Sequence, residues 1–191
     1  VAAAYSFYPT RNLGGFGDGG AVVSNDKSLI ETIKILRQGG HAPALAGKVE
    51  GRNSRLDELQ AALLRVKLKY LRDWNQRRKK LADLYNQILT PAATVRLPYA
   101  TEPDTHVFHL YVVTHSDRDG LQSHLTSGGI DTMIHYPDLL HQQELFRRPG
   151  QTSLPVAESL VGQMLSLPLY PQLGEDEVAT IARAILEFEN E

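Results

Sequence analysis

The sequence predicts an α/β fold in its first part and an α+β fold in its second. Three observations carry this. Strand-like apolar segments and helical stripes alternate through residue 89. Residues 91–103 are then aperiodic and hold Pro91, Pro98 and Pro103. Beyond them, short apolar alternations mix with amphipathic stretches. The chain of 191 residues, 42% hydrophobic, is long enough for one core and a smaller second unit. The expected division is 1–89 and 90–191.

Residues 1–8 are apolar and aromatic and read as a buried strand ending at Pro9. Gly14, Gly15, Gly17, Gly19 and Gly20 make a loop, and Ala21, Val22 and Val23 a second short buried strand. Asp26 is placed to cap a helix carrying Leu29, Ile30, Ile33 and Leu36, with Gly39 and Gly40 ending it. A loop with Pro43 and Gly47 follows. Ser54 and Asp57 have capping-box spacing ahead of the longest helical signal. Its stripe runs Leu59, Leu63, Val66, Tyr70 and Trp74, resumes at Leu81, Tyr85 and Ile88, and admits a break near Leu71.

In the second part, residues 107–114 and 130–136 read as strands. Between them, residues 117–126 read as a helix closed by Gly128 and Gly129. A helix around 156–165, the apolar segment LSLPLY and a last helix with Val178, Ile181, Ala182 and Ile185 on one face complete the chain. There is no internal repeat.

Composition excludes several chemistries. With no cysteine, disulfides, thiolate metal sites and cysteine nucleophiles are out; the absence also fits a reducing cytosol, so a cytoplasmic protein is expected. Twenty basic residues face 22 acidic ones, which gives no pull toward nucleic acid or anionic membrane. No apolar run approaches the ~20 residues of a membrane helix. The start, VAAAY, lacks a signal peptide and an initiator methionine, and the chain is expected to continue a longer polypeptide.

Each candidate motif has a plain alternative. Gly15, Gly17 and Gly20 match G-x-G-x-x-G, but that motif needs a helix after the glycines to meet a pyrophosphate. AVVS follows instead, so a turn between two strands is the better account. His106 and His109, three apart on an extended segment, point to opposite faces and cannot share an ion without a bulge; one of them is expected to be a core or rim histidine. Residues 65–80 hold eight basic residues and one acid, which on an amphipathic helix reads as a solvated face. Neither a G-x-S-x-G elbow nor an evident Ser-His-Asp set is present.

Read together, SFYPTRNLGGFGDGGAVVSND, LRQGG, GRNSRLDELQAALLRVKLKYLRDWNQRRKKLADLY, IHYP, PVAESL and LSLP resemble the DegT/DnrJ/EryC1/StrS family of pyridoxal-phosphate-dependent sugar aminotransferases. Order and spacing are kept along nearly the whole chain, which corresponds to the later part of such an enzyme. The resemblance implies the later part of the aspartate-aminotransferase fold: the end of the large domain, then a small C-terminal domain. It implies pyridoxal 5'-phosphate as cofactor, a nucleotide-linked keto-sugar as substrate, glutamate as amino donor and a homodimer.

One position departs. The family pattern is S-F-Y-P-x-K-N-L-G, whose lysine forms the Schiff base with the cofactor. Arg11 stands there. Schiff-base formation needs a neutral amine, and a guanidinium does not give up its proton in a protein. Covalent attachment is therefore not expected, and the chain as it stands is expected to be inactive. The resemblance places Ser6 and Asn53 on the cofactor phosphate, Asn53 from the neighbouring subunit, and His135 and Tyr136 near the sugar nucleotide. The family's pyridine-nitrogen partner and stacking aromatic would precede Val1. A non-catalytic or truncated homologue that binds cofactor, sugar nucleotide or a full-length partner is the alternative. The chain alone is expected to aggregate or need a partner, since a large-domain sheet without its first half would have an open edge and uncovered apolar surface.

Overall fold

The computed structural model describes residues 1–40, 50–99, 105–148, 150 and 152–190. Pro43, Gly47 and Pro103, named above, lie outside the described residues. The chain divides into two compact units, Val1–Trp74 and Asn75–Glu191. The division falls inside a helix, ahead of the proline-bearing segment where a boundary was expected. The mixed α/β class agrees with the sequence prediction.

The first unit opens with strand β1 (Ala2–Ser6) and strand β2 (Gly20–Ser24), paired antiparallel from Ala2 opposite Ser24 to Ser6 opposite Gly20. The glycine segment is thus the connection of a strand pair, as its context suggested. Neither strand is buried: all five residues of β1 are exposed, and Val22 and Val23 of β2 are exposed as well. The buried strands expected here are corrected, because among the described residues each is hydrogen-bonded to the other alone.

Helix α1 (Lys27–Leu36) forms as expected. The Asp26 side chain accepts from the backbone N–H of Ser28 and Leu29, taking up two of the free donors at the helix start. These bonds, the one from the Ser28 hydroxyl first, hold its carboxyl below the usual range. The Gly40 N–H closes the other end on the Ile35 carbonyl at 3.0 Å, at a φ of 76° that favours glycine.

Helix α2 (Glu58–Leu68) starts later than the capping-box spacing predicted, and Asp57 makes no side-chain cap bond. Ser54 is otherwise engaged: its N–H bonds the Arg37 carbonyl at 2.9 Å, in an extended stretch that pairs Asn53 with Gln38. Helix α3 (Leu71–Leu89) follows, with the expected break before it. The stripe on α2 stays largely uncovered, with Leu59 and Val66 exposed, and Tyr70 in the break that follows is exposed too. On α3, Leu81 and Tyr85 are buried as the periodicity requires, Ile88 is half-buried against the core, and Leu89, outside the expected stripe, is buried as well.

The second unit wraps those turns of α3 with strand β3 (Tyr111–Thr114), helix α4 (Arg118–Ser127), helix α5 (Pro155–Val161), strand β4 (Met164–Leu167) and helix α6 (Glu175–Phe188). Strands β3 and β4 pair antiparallel, Tyr111 opposite Leu167. Single bridges flank them: Arg96 to Thr114 on one side, Met133 to Ser166 on the other. Two expected strands are shorter than predicted. Residues 107–110 stay outside β3, where Phe108 takes a φ of 41°. Residues 130–136 contribute only the Met133 bridge, and Pro137, which cannot donate to a ladder, follows directly. The helix expected to reach 165 stops at Val161, and Met164 and Leu165 belong to β4.

The core of this unit is contiguous: Leu81, Tyr85 and Leu89 of α3 meet Tyr111, Val113, Leu121, Leu125, Leu165 and the Val178, Ile181, Ala182 and Ile185 face of α6. Each Val, Leu or Ile side chain among them contributes roughly 1.5–3 kcal/mol by leaving water. The Tyr85 and Tyr111 rings stack at 4.7 Å, and their hydroxyls donate to the Pro168 carbonyl (3.0 Å) and to Asn86 Oδ1 (2.7 Å). Burial pushes both phenols well above their ordinary range. Arg78, read from sequence as part of a solvated basic face, is buried and donates to the carbonyls of Phe108, His109 and Leu169.

Candidate functional site

In the first unit, the segment between β1 and β2 folds back on itself. Phe7 N–H bonds the Gly19 carbonyl (2.8 Å), Gly15 N–H the Phe7 carbonyl (2.7 Å), and Arg11 N–H the Tyr8 carbonyl (2.9 Å). Arg11 therefore sits in a tight turn. A side chain at Gly14 would run into the backbone of Pro9, so the chain can close only with glycine there. Two residues that sequence reasoning did not single out brace this turn from α2. Gln60 Oε1 accepts from Phe16 N–H at 2.9 Å. The Lys67 ammonium donates to the Gly14 carbonyl and lies 5.5 Å from the centre of the Phe16 ring. Their one sequence signal is spacing: seven apart, they fall on one helix face.

Ser6 ends β1, and its Oγ accepts from Tyr8 N–H at 3.2 Å. Its hydroxyl proton has no partner among the described residues. Asn53 is exposed and held by backbone bonds on both sides: Arg52 N–H to the Leu36 carbonyl and Ser54 N–H to that of Arg37, both 2.9 Å. A cavity of about 760 Å³ joins Asn53 to Tyr5, Gly19, Gly20 and Val22, with Lys34, Arg37 and Arg55 on its wall. Neither Ser6 nor Arg11 lines it. The structure thus fixes the backbone of all three predicted residues but does not bring them to one cavity.

In the second unit, His135 is half-buried and lines a separate cavity of about 660 Å³. Its Nδ1 lies 2.9 Å from Ser166 Oγ. Tyr136 is exposed, with its ring 5.5 Å from the His135 ring and nearly perpendicular to it. Sequence reasoning missed Ser166, since a serine inside an apolar run gives no signal of its own. Of the two other histidines singled out, His106 is exposed, with Nδ1 accepting from Phe108 N–H, and His109 is half-buried; the stretch between them is not the extended segment expected, since Phe108 takes a φ of 41°. Among the described residues no cluster suited to a metal ion occurs. No described helix is long and apolar enough to cross a membrane.

Against known families, residues 1–186 match the model of the DegT/DnrJ/EryC1/StrS aminotransferase family. The chain belongs to that family. Within it, the chain is similar to the dTDP-3-amino-3,4,6-trideoxy-alpha-D-glucose transaminase of Streptomyces venezuelae, 45% identical over 189 residues, which cover 97% of this chain and 50% of that protein. Among solved structures it is similar to S. venezuelae DesV, crystallised with a ketimine intermediate. There the TM-score is 0.92 at 42% identity, over 100% of this chain and 52% of that one. It is also similar to NtdA of Bacillus subtilis, solved with its cofactor PMP bound, with a TM-score of 0.86 at 28% identity, over 100% of this chain and 46% of that one. The chain spans about half the length of the relatives it matches. The family and the fold agree with the resemblance read from the residues.

Proposed function

We propose that this chain derives from a pyridoxal-phosphate-dependent aminotransferase that moves an amino group from glutamate to a nucleotide-linked keto-sugar, and that in its present sequence it does not turn over. The observation that carries this is Arg11. Family membership and the kept S-F-Y-P-x-x-N-L-G frame support its alignment with the cofactor lysine. In this reading residues 1–89 are the end of the large cofactor-binding domain and residues 90–191 the small domain.

The residues present fit the cofactor's phosphate and not its covalent attachment. The Ser6 hydroxyl keeps a proton to donate, and Asn53 offers an exposed amide. Small neutral donors of this kind hydrogen-bond phosphate oxygens, and Arg11 adds a charge-assisted partner. Asn53 acts from the neighbouring protomer of a homodimer. Pyridoxal phosphate, when bound, supplies an electron sink for chemistry at the amino-bearing carbon. A lysine at position 11 would also carry the proton there as base and then acid. The guanidinium of Arg11 serves neither step. The Lys67 amine does not replace it, being engaged on the Gly14 carbonyl.

Arg11 also favours a second reading: a non-catalytic homologue that binds cofactor, sugar nucleotide or a full-length partner. In either case the test is to add pyridoxal phosphate, treat with borohydride and map the label by peptide mass spectrometry. No label on residue 11 is expected, and Arg11→Lys should gain one only when the upstream half of such an enzyme is supplied. A label at Arg11, or amino transfer by the unchanged chain at enzymatic rate, would overturn the proposal.

A further inference from the structure

Three successive backbone N–H groups of the second unit converge on one carboxylate, and the proposed function uses none of them. Ala93 N–H donates to Glu189 Oε2 at 2.7 Å, and the N–H groups of Thr94 and Val95 donate to Oε1 at 2.9 and 2.7 Å. The Thr94 hydroxyl adds a fourth bond to Oε1 at 2.7 Å. All four donors are neutral. Consecutive amides turned toward one point form a concavity that binds anions. Burial alone would raise the Glu189 carboxyl, but the bonds from Thr94, Val95 and Ala93 outweigh it and hold the group below its usual range.

The direction of the fourth bond is set from behind. His115 is buried, and its Nδ1 accepts from Asp117 N–H at 3.0 Å. A backbone N–H can only donate, so in the neutral ring Nδ1 is bare and the proton is on Nε2. Nε2 lies 2.7 Å from Thr94 Oγ1 and donates to it. The Thr94 proton is thereby directed at Glu189.

Glu189 does not build this arrangement. Ala92 N–H bonds the Leu89 carbonyl at 2.9 Å where α3 ends. Arg96 bonds Thr114 of β3 through both its N–H (2.9 Å) and its carbonyl (3.0 Å). Val95 is anchored in the core. Residues 93–95 are thus held on both sides by bonds in which Glu189 has no part. Nor does Glu189 suit its own helix as an anion. It caps the C-terminus of α6, the negative end of that helix's dipole. Its carboxylate stays there because the amides hold it. Ala93 and Thr94 are exposed, so the emptied concavity would face solvent.

We infer that residues 93–95 form a receptor for a small monocarboxylate, and that α6 keeps this receptor plugged with Glu189. The site lies wholly in the second unit and shares no residue with the cofactor and sugar positions proposed above, so it stands or falls separately from them.

The test follows the amides of Ala93, Thr94 and Val95 by proton–nitrogen correlation in the full chain at pH 7. Sodium acetate is the probe, and sodium chloride at equal ionic strength is the control. In Glu189→Ala these amides should move upfield and lose at least about tenfold in exchange protection. Acetate should restore both saturably, and chloride should not. In the unchanged chain acetate should leave the amides in place, because the plug fills the site. Adding Thr94→Val to Glu189→Ala should weaken acetate binding about tenfold, the worth of one hydrogen bond to a charged group. Amides that do not move in Glu189→Ala, or that acetate does not restore, would overturn the receptor. Collapse of the β3 and β4 amide peaks in that variant would overturn it too, since the receptor would then not be built without Glu189. A saturable acetate shift in the unchanged chain would overturn the plug. Equal acetate affinity with and without the Thr94 hydroxyl would overturn the direction assigned through His115.

Discussion

The two units are stabilised in different ways. Every residue of the buried apolar cluster belongs to the second unit. In the first, Leu64 is the one large hydrophobic side chain fully buried among the described residues, while Tyr5, Tyr8, Phe16, Val22, Val23, Leu59 and Val66 are exposed. Its shape is drawn instead by backbone bonds, by the Asp26 cap and by Gln60 and Lys67 on the glycine turn. Hydrogen bonds give about 1 kcal/mol each in net stability, and side-chain burial gives more. A region can therefore have a well-defined fold and little stability of its own.

Hydrogen exchange should show this contrast most strongly. Amides of β3 and β4 lie in a buried ladder and should exchange only on global opening. Amides of β1 and β2 lie in an exposed one and should open locally. The expected difference in protection is at least about a thousandfold. Equal protection in the two strand pairs would mean that something covers the first unit in solution, such as a second copy of the chain. That outcome would also favour the homodimer proposed above.

The same contrast explains what could be read from the sequence. Elements whose signal is local were legible: the Asp26 cap, the Gly39–Gly40 stop, the α2–α3 break and the apolar face of α6 all stand where the pattern put them. Burial of β1 and β2 was misjudged, because an apolar run declares what could be buried and not whether anything covers it. The Ser54 cap failed because a tertiary pairing, Asn53 with Gln38, claimed that stretch first. Arg78 was missed for a related reason: its carbonyl partners Phe108, His109 and Leu169 are remote in sequence. Of the candidate site, the turn around Arg11 was legible from its glycines. The Ser166–His135 pair was not, since it joins residues 31 apart.

Truncation of single side chains should sharpen the contrast next. Leu125 of α4 is fully buried, and Leu125→Ala should cost about 3 kcal/mol by urea unfolding followed by circular dichroism. Leu59 of α2 is 72% exposed, and Leu59→Ala should change stability by no more than about 0.5 kcal/mol. A large loss at Leu59 would again point to a covering surface. Comparable small losses at both sites would show that the second unit's core is not what limits unfolding.

The smallest effect expected is in acid, and it separates two carboxylates within the second unit. Hydrogen bonds from the Ser153 hydroxyl and the Leu154 N–H, then contact with His141, hold Glu158 at about 2, down from an ordinary 4.5. Hydrogen bonds and charge from Lys80 and Arg77 hold Glu175 at about 2 as well. Both folded-state values are depressed, so both carboxylates stabilise the fold above pH 4.5, and that stabilisation fades as pH falls from there through about 2. Salt should tell them apart. Glu175 is an ion pair at the surface, so its share should shrink at high ionic strength. Glu158 is held first by neutral donors, so its share should persist. Melting temperatures between pH 5 and pH 2, at low and high salt, should therefore show Glu158→Gln flattening the acid limb in both conditions and Glu175→Gln flattening it at low salt alone. An acid limb unchanged by Glu158→Gln would mean that the clasp from the 3₁₀ turn at Leu140–Gln142 to α5 adds nothing to this unit's stability.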